Sequence, residues 1–199
     1  MDCKKALAEN DANFEKAVEF LMVKKKASAA KKQTRIAAEG TVSSYVHMGG
    51  KIGVLCEINC ETDFVAKTPQ FQDFVKDVCM HIAAAAPTVV RREDIDADVS
   101  NTQKDLFTAQ VIEEGKPEHI AERIVTGKMD KWYKEASLLE QVFVKDEAGK
   151  LTVGQYLENV TGDLGEKISI RRFMRFELGE GLQKREENFA DEVAAQMGN

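Results

Sequence analysis

Thiols and imidazoles, which carry much of the nucleophilic and metal chemistry of proteins, are few in this sequence. The thiols and imidazoles are those of Cys3, Cys56, Cys60, Cys79, His47, His81 and His119. Cys56 and Cys60 are separated by three residues rather than the two of a typical Cys-x-x-Cys zinc motif, and only three histidines could complete a ligand set. We therefore expect no zinc site. Four cysteines so placed also indicate reduced thiols rather than a disulfide framework.

His47 and Cys56 could in principle form a thiolate pair of the kind that nucleophilic enzymes use. If Gly49 and Gly50 form a hairpin turn, both side chains lie on one face, but their positions differ by four residues along the strand, too far for contact. We interpret Cys56 as a buried structural residue. A thiol enzyme that uses Cys56 or Cys60 is the alternative in the enzyme class.

The sequence lacks the motifs of the common nucleotide- and metal-dependent enzymes. It has no phosphate loop of the Gly-x-x-x-x-Gly-Lys type, no nucleophile elbow and no paired-histidine metal helix. The spacing of Gly49, Gly50 and Gly53 does not match the dinucleotide-binding fingerprint. We therefore predict a protein that is not an enzyme and that needs no cofactor.

The segment Thr62–Ala66 places a large apolar side chain beside a carboxylate, between a predicted strand and a predicted helix. Phe64 could fill a pocket of a partner while Asp63 perturbs its polar network, as in a protruding contact loop. The alternative is structural, with Phe64 tucked under the following helix and Asp63 capping it. The pattern alone leaves both interpretations open.

Charge is distributed unevenly along the chain. The formal charge is −6, and residues 1–35 hold nine basic and five acidic side chains, a net of +4, so the other 164 residues carry −10. An acid-free run holds the basic residues Lys24, Lys25, Lys26, Lys31, Lys32 and Arg35. Such a run can bind phosphates, but it has no aromatic residue on which a base could stack. We expect no specific nucleic-acid partner; an RNA- or ribosome-binding module that uses residues 24–35 is the alternative function.

The overall composition is that of a globular protein, with 199 residues of which 43% are hydrophobic and 31% charged. No stretch approaches the roughly 18 to 20 apolar residues of a membrane-spanning helix. The start of the chain lacks the apolar region of a secretory signal. We therefore expect a protein that stays in a cytoplasm or an equivalent interior and has no membrane partner.

Hydrophobic periodicity predicts two short helices over residues 1–26, separated by a turn at Asn10–Asn13. About 26 residues cannot bury this apolar surface alone, so the helices either dock on the body or are the remnant of a three-helix unit. Residues 27–39 follow as a predicted basic linker.

The stretch Gly40–Glu61 predicts a β-hairpin that turns at Gly49–Gly50. The register that follows pairs Tyr45 with Val54 and His47 with Ile52. A strong helix then begins at Thr68–Pro69 and stops at Pro87. Its stripe of Phe71, Phe74, Val75, Val78, Cys79, Ile82 and Ala83 is expected to cover the sheet.

A helical hairpin is predicted over residues 101–141, broken at Gly115–Lys116–Pro117. Residues 142–144 are predicted as a short strand and residues 153–157 as a helix. A last strand over 168–178 should place one set of side chains on a single face: Ile168, Ile170, Met174, Phe176 and Leu178. Strands mixed with helices that pack on one side of the sheet predict an α+β core over residues 40–178, followed by a C-terminal helical module over 179–199.

Four motifs together resemble the elongation factor Ts family. They are Met1–Leu7 (MDCKKAL), Gly53–Ala66 (GVLCEINCETDFVA), Gly115–Pro117 (GKP) and Arg175–Gly181 (RFELGEG). Their order over nearly the whole chain makes the resemblance specific. It implies a guanine nucleotide exchange factor that promotes GDP release from the translational GTPase elongation factor Tu.

The resemblance also implies which residues contact the GTPase. In the family the loop that matches Thr62–Ala66 inserts beside the nucleotide and magnesium site, so Thr62, Asp63, Phe64, Val65 and Ala66 are expected partner-binding residues. Asp63 and Phe64 would displace the metal and phosphate contacts. Three further positions match family contacts: Lys4, His47 and Val144.

Comparison with the family pattern implies further features of the assembly. The N-terminal helices resemble a ubiquitin-associated domain without its first helix, so residues 1–26 are an incomplete docking module. The chain has the single core of short family members, which pair two chains, so a homodimer is expected, with the 101–141 arm as one possible contact. The C-terminal residues resemble cyanobacterial and plastid members, which implies a bacterial cytoplasm or a plastid stroma.

Overall fold

A computed structural model describes residues 2–182, which fold as an α+β domain with one three-stranded sheet. Their elements are α1 (Asp2–Glu9), α2 (Phe14–Lys32), β1 (Glu39–Val46), β2 (Ile52–Cys60), α3 (Asp63–Ala66), α4 (Pro69–Ala85), a 3-10 turn (Arg92–Asp94), α5 (Ala97–Glu113), α6 (Glu118–Ala136), a second 3-10 turn (Leu138–Glu140), α7 (Val153–Leu164) and β3 (Ser169–Glu177). The α+β prediction is confirmed. Apart from residues 179–182, the predicted C-terminal module lies outside the described residues.

The second helix is longer than the sequence pattern indicated. Asn13 caps it by accepting a hydrogen bond from the backbone N–H of Lys16 at 3.0 Å, and the helix continues to Lys32. The first six residues of the predicted linker 27–39 are therefore helical. Basic Lys31 and Lys32 lie in the last turn, where positive charge is favourable beside the helix carbonyls.

The hairpin has the predicted register. Tyr45 pairs with Val54, and the N–H of His47 donates to the carbonyl of Ile52 at 2.9 Å. The strand order is β1-β2-β3 and both pairings are antiparallel, so β2 is central. Because β3 comes from the far end of the chain, this sheet brings the two ends of the core together.

Helix α4 covers the inner face of the sheet. Thr68 caps the helix and Pro69 occupies its first turn, as predicted. Every residue of its predicted stripe is buried, together with residues of β2 and α7: Val54, Cys56, Ile58, Cys60, Val153, Leu157 and Val160. This stripe, packed on the strand residues, is the main hydrophobic core.

The last strand differs from the prediction because of a β-bulge. The register shifts between Glu57 and Ile58, so that Ile58 pairs with Ile170 whereas Glu57 pairs with Arg172. The extra residue reverses which side chains face inward. Ile168 and Ile170 are buried, but Met174, Phe176 and Leu178 are exposed, so the prediction of a single shared face is wrong beyond Ile170. The carboxylate of Glu57 pairs with both arginines at the bulge, Arg171 at 2.8 Å and Arg172 at 2.7 Å.

The helical hairpin forms an arm with a small core of its own. Helices α5 and α6 flank Gly115–Pro117, as predicted, although α5 already begins at Ala97. Their buried contact is made by Val111, Val125, Met129 and the half-buried residues around them. At its base the Arg92 guanidinium bonds to Glu140 and to Asp130 and stacks over the Tyr133 ring at 4.8 Å. The arm is thus attached to the core by a charged cluster.

Residues 142–144 do not form the predicted strand. Val142 makes a single antiparallel bridge with Thr152, and the N–H of Phe143 donates to the carbonyl of Leu151 at 2.8 Å. Between residues 2 and 182, no helix has the length and apolar character needed to cross a membrane.

Phe74→Ala should lower the free energy of unfolding by about 3 to 5 kcal/mol, because the side chain is 0% exposed and its removal leaves a cavity. The matched control is Phe64→Ala, which should change stability by less than about 0.5 kcal/mol because that ring is in solvent. Urea denaturation followed by circular dichroism measures both. Equal effects of the two substitutions would contradict the placement of these rings.

Candidate partner-binding site

The segment Thr62–Ala66 is a single helical turn, α3, not an open loop. Thr62 is its N-cap, and the Thr62 hydroxyl accepts a hydrogen bond from the N–H of Val65 at 3.4 Å. At the other end the hydroxyl of Thr68 donates to the carbonyl of Val65 at 2.8 Å, and the side chain of Gln72 donates to that of Ala66 at 2.6 Å. Capping at both ends fixes the turn between β2 and α4.

The base of the turn is held by a residue distant in sequence. One carboxylate oxygen of Glu166 accepts the N–H of Thr62 at 3.0 Å and the other accepts its hydroxyl at 2.7 Å. Next to it, Glu61 accepts the N–H of Lys167 at 2.5 Å, a bond that lowers the pKa of Glu61 below its usual value. The link between α7 and β3 therefore anchors the turn.

Asp63 and Lys67 form an ion pair on the solvent side of the turn. The Lys67 ammonium lies 2.7 Å from the Asp63 carboxylate, four residues earlier in the chain. This hydrogen bond lowers the pKa of Asp63, so the carboxylate is ionised at neutral pH. Asp63 does not cap the turn, because Thr62 has that role.

Phe64 points away from the protein and is 78% exposed. The structural alternative, in which this ring tucks under the following helix, is wrong. Val65 packs against the core and Ala66 is buried, so two of the turn's apolar residues hold it down while the third projects. A large exposed aromatic ring on a rigid turn is suited to enter a pocket of another molecule.

His47 and Val144 lie at the opposite end of the core from the turn. Strand β1 starts opposite Cys60, beside the turn, and its eight residues span roughly 26 Å toward His47. His47 is exposed, and its ring bonds to the Tyr45 hydroxyl at 3.0 Å. Val144 is 49% exposed near the end of α4, where its N–H donates to Nδ1 of His81 at 3.1 Å. The structure thus separates the two groups.

Lys4 is exposed on α1, the first of the two N-terminal helices. Asp2 of this helix pairs with Lys24 at 3.2 Å, and the neighbouring Lys25 pairs with Asp163 near the end of α7. Three residues after Asp163, Glu166 binds the turn. The N-terminal helices therefore dock on the body of the protein near the Glu166 anchor.

Several side chains of the basic run are engaged within the chain. Lys24 and Lys25 pair with acids as above, Lys32 is buried and donates to Ser28 at 2.9 Å, and Arg35 lies 3.3 Å from Glu61. Internal pairing reduces the positive charge available to phosphates. Within the run, Lys25 links α2 to α7 and Arg35 links the segment after α2 to the end of β2.

The cysteine chemistry considered above has no support in the geometry. Cys56 and Cys60 are buried, and Cys56 lies opposite Ser43 on β1, away from the exposed His47. A hydrogen bond with the Cys79 thiol and burial raise the pKa of Cys56, and burial raises that of Cys60. Both thiols stay protonated and unreactive. In the part of the chain that the structure describes, no group of three or more metal-ligating side chains is arranged to hold an ion.

Sequence reasoning missed the residues that support the turn, namely Glu166 and Glu61. Glu166 lies 104 residues from Thr62, and no local pattern links them. The partner of Asp63, Lys67, could have been predicted from the sequence, because the two residues are four positions apart, the spacing of an ion pair on a helix.

Comparisons with known proteins identify the family. The model of the family "Elongation factor TS" matches residues 4–180. Proteins named elongation factor Ts are 56% identical over 197 residues in Desulforamulus reducens and 57% identical over 197 residues in Alkaliphilus oremlandii, covering 99% of this chain and 90% of each relative. That of Geobacter metallireducens is 55% identical over 198 residues, covering 100% of this chain and 91% of the relative. The chain therefore belongs to the elongation factor Ts family.

Proposed function

We propose that this chain promotes GDP release from elongation factor Tu by inserting the turn Thr62–Ala66 beside the nucleotide and its magnesium ion. Membership of the family gives it the role of a nucleotide exchange factor for that GTPase in translation elongation. The exposed ring of Phe64 on a turn fixed by Thr62 and Glu166 is the observation that carries the proposed mechanism. RNA or ribosome binding through residues 24–35 is not favoured.

Exchange requires a partner that binds the nucleotide-free or distorted GTPase better than the GDP-bound form, because only differential affinity shifts an equilibrium. Burying Phe64 in a pocket that opens in the exchange state would supply about 1.5 to 3 kcal/mol. That energy corresponds to a tenfold to roughly hundredfold bias. Since the turn is already rigid, little of this energy is lost in ordering it.

Asp63 supports the mechanism through its charge. Its ionised carboxylate would repel the phosphates of GDP and compete for the magnesium ion that bridges them. In the free protein this carboxylate is paired with the exposed ammonium of Lys67, which would separate from it before Asp63 acts on the phosphates. Thr62, Val65 and Ala66 orient these two side chains.

Lys4 on α1 would contact the GTPase together with the turn, and His47 and Val144 would form a second contact from the other end of the core. Exchange makes and breaks no covalent bond, so the protein acts without catalytic residues, metal or cofactor of its own. No specific nucleic acid or membrane takes part. Since elongation factor Tu acts where ribosomes work, the chain would act in a bacterial cytoplasm or a plastid stroma.

Two copies of the chain would pair through the outer face of the sheet. The bulge turns Met174 and Phe176 of β3 to the side of the sheet on which Val42 and Val46 of β1 and Leu55 of β2 are exposed, and these five side chains form an outer apolar face. A contiguous apolar patch of this kind marks an interaction site. Two open sheets stacked face to face form a β-sandwich, a self-complementary arrangement that a two-fold axis provides.

A second copy also accounts for the distance between the two contact groups. The turn and the pair His47–Val144 lie at opposite ends of one core, whereas a dimer can present one group from each copy to the same GTPase. The arm is a weaker candidate for the dimer contact, because its central apolar residues already pack on each other.

Phe64→Ala should reduce the maximal acceleration of GDP release by tenfold to roughly a hundredfold, the energy of its burial. The release of fluorescent GDP from purified elongation factor Tu measures it. Leu106→Ala, an exposed apolar residue of the arm, is the matched control and should behave as wild type. Unchanged acceleration by the Phe64 variant would refute insertion of the ring, and salt-sensitive activity independent of Phe64 would favour a phosphate-binding role.

Glu166→Ala should lower the acceleration of GDP release by about threefold to tenfold while leaving Phe64 in place, because the turn loses two hydrogen bonds that order it. Glu158→Ala removes an exposed carboxylate from α7 and serves as the control. The same GDP-release assay measures both variants. Equal rates for the two would mean that the anchor of Thr62 does not matter for exchange.

Phe176→Lys should convert the dimer to a monomer, because it places an ammonium on the outer apolar face, where a second sheet would cover it. Light scattering should give twice the 22.2 kDa chain mass for wild type and one chain mass for the variant. Leu106→Lys tests the arm in the same way and should remain dimeric. Dissociation by the arm variant alone would assign the contact to the arm, and a monomeric wild type would rule out the dimer.

A further inference from the structure

His81 of α4 is almost fully buried, 1% exposed, and both of its ring nitrogens are used. Nδ1 accepts the N–H of Val144 at 3.1 Å, and Nε2 bonds to the side-chain oxygen of Gln141 at 2.9 Å. The amide nitrogen of Gln141 in turn donates to the carbonyl of Glu135 at 2.5 Å, at the end of the arm. One imidazole therefore links the main helix of the core to the segment 141–144.

The two contacts determine the state of the ring. Since a backbone N–H can only donate, Nδ1 must be unprotonated, and Nε2 must carry the hydrogen that goes to Gln141. Burial lowers the pKa of His81 below its usual 6.5, which keeps the ring neutral. The charged and titratable groups of the surrounding elements have partners of their own. The Asp77 carboxylate pairs with the Lys145 ammonium at 2.6 Å and accepts a hydrogen bond from the Tyr156 hydroxyl at 3.2 Å. Arg175 of β3 bonds to Glu177 and to the carbonyl of Ala83.

The backbone N–H of Val144 has no acceptor in the neighbouring segment 151–153, because of the direction in which it points. Residues 141 and 143 are tied through their backbones to residues 151–153. In an antiparallel bridge alternate residues face the partner, so the N–H of Val144 points the other way, toward α4. His81 supplies its acceptor, and the buried ring of Phe143 lies beside the imidazole at 6.1 Å between centroids.

We propose that His81 is a positioning residue for nucleotide exchange, which holds the backbone of Val144 so that its exposed side chain is presented to the GTPase. The inference rests on the proposed function, since Val144 is taken there as a contact position. His81 does not touch the partner and acts only through the 141–144 segment. His81 would thus affect the contact with the GTPase although its own side chain is buried.

Two substitutions separate the roles of the ring nitrogens. In His81→Asn the amide oxygen occupies the position of Nδ1 and can still accept the Val144 N–H, whereas in His81→Gln the amide nitrogen occupies the position of Nε2 and the acceptor is lost. Asn leaves the larger cavity, so a purely structural role predicts that Asn is the worse variant. The proposal predicts the reverse order.

The first measurement is amide hydrogen exchange of Val144 in the free protein, followed by NMR. We expect about tenfold faster exchange in His81→Gln than in wild type or His81→Asn, which corresponds to loss of one hydrogen bond of about 1.4 kcal/mol. The second is GDP release from elongation factor Tu over a range of concentrations. The half-saturating concentration should rise about tenfold for Gln only, with an unchanged maximal rate, because Phe64 and Asp63 are intact.

These measurements distinguish failure of the inference from failure of the proposed function. A wild type that does not accelerate GDP release would refute the function, and the inference with it. If wild type is active, equal half-saturation of wild type, Asn and Gln would overturn the inference alone. So would a larger effect of Asn than of Gln, or a lowered maximal rate, since either would assign His81 to general stability. Thermal melting monitored by circular dichroism verifies that each variant is folded.

Discussion

The burial of the chain on both sides of the turn Thr62–Ala66 is the constraint on which the candidate site depends. Cys60 ends β2 inside the core, and Phe71 begins the buried stripe of α4. Both are fully enclosed, and interiors packed at the density of organic crystals resist displacement. The short connection between them must cross the edge of the domain in a fixed conformation. Capping by Thr62 and Thr68 satisfies its backbone, and Phe64 is left with solvent as its surroundings.

In this arrangement the residues that stabilise the fold are different from the exposed residue of the candidate site. Burial of Val54, Ile58 and Phe74 within the core stabilises the folded chain. The exposed surface of the turn takes no part in this packing. Substitution of the exposed Phe64 is therefore expected to have little effect on stability. Glu166 is half-buried and accepts hydrogen bonds from the N–H and hydroxyl of Thr62, and the buried His81 accepts the N–H of Val144. Both contacts therefore tie a surface segment to the packed interior of the domain.

The bulge in β3 determines which side chains of that strand face solvent. A regular strand would have buried Met174 and Phe176 and exposed Arg175. The additional residue allows Glu57 to bind two guanidinium groups on one face of the sheet, and it reverses the phase of the rest of the strand. The bulge at one position thereby turns the apolar side chains at the other end of β3 outward.

The sequence by itself determined the elements whose signals are local. The capped start of α4 at Thr68 and Pro69, its buried stripe, and the register of Tyr45 with Val54 could all be predicted, because periodicity and turn chemistry depend on neighbours in the chain. The motif Thr62–Ala66 was likewise found as a contact candidate, and the order of motifs identified the family. Only the tertiary structure decided whether Phe64 was buried or exposed, because that depends on what α4 leaves uncovered. The same holds for the bulge, the anchor of Thr62 by Glu166 and the ring of His81 behind Val144. Each joins residues whose partners lie tens of positions away, and packing in three dimensions, which no local pattern encodes, brings them together.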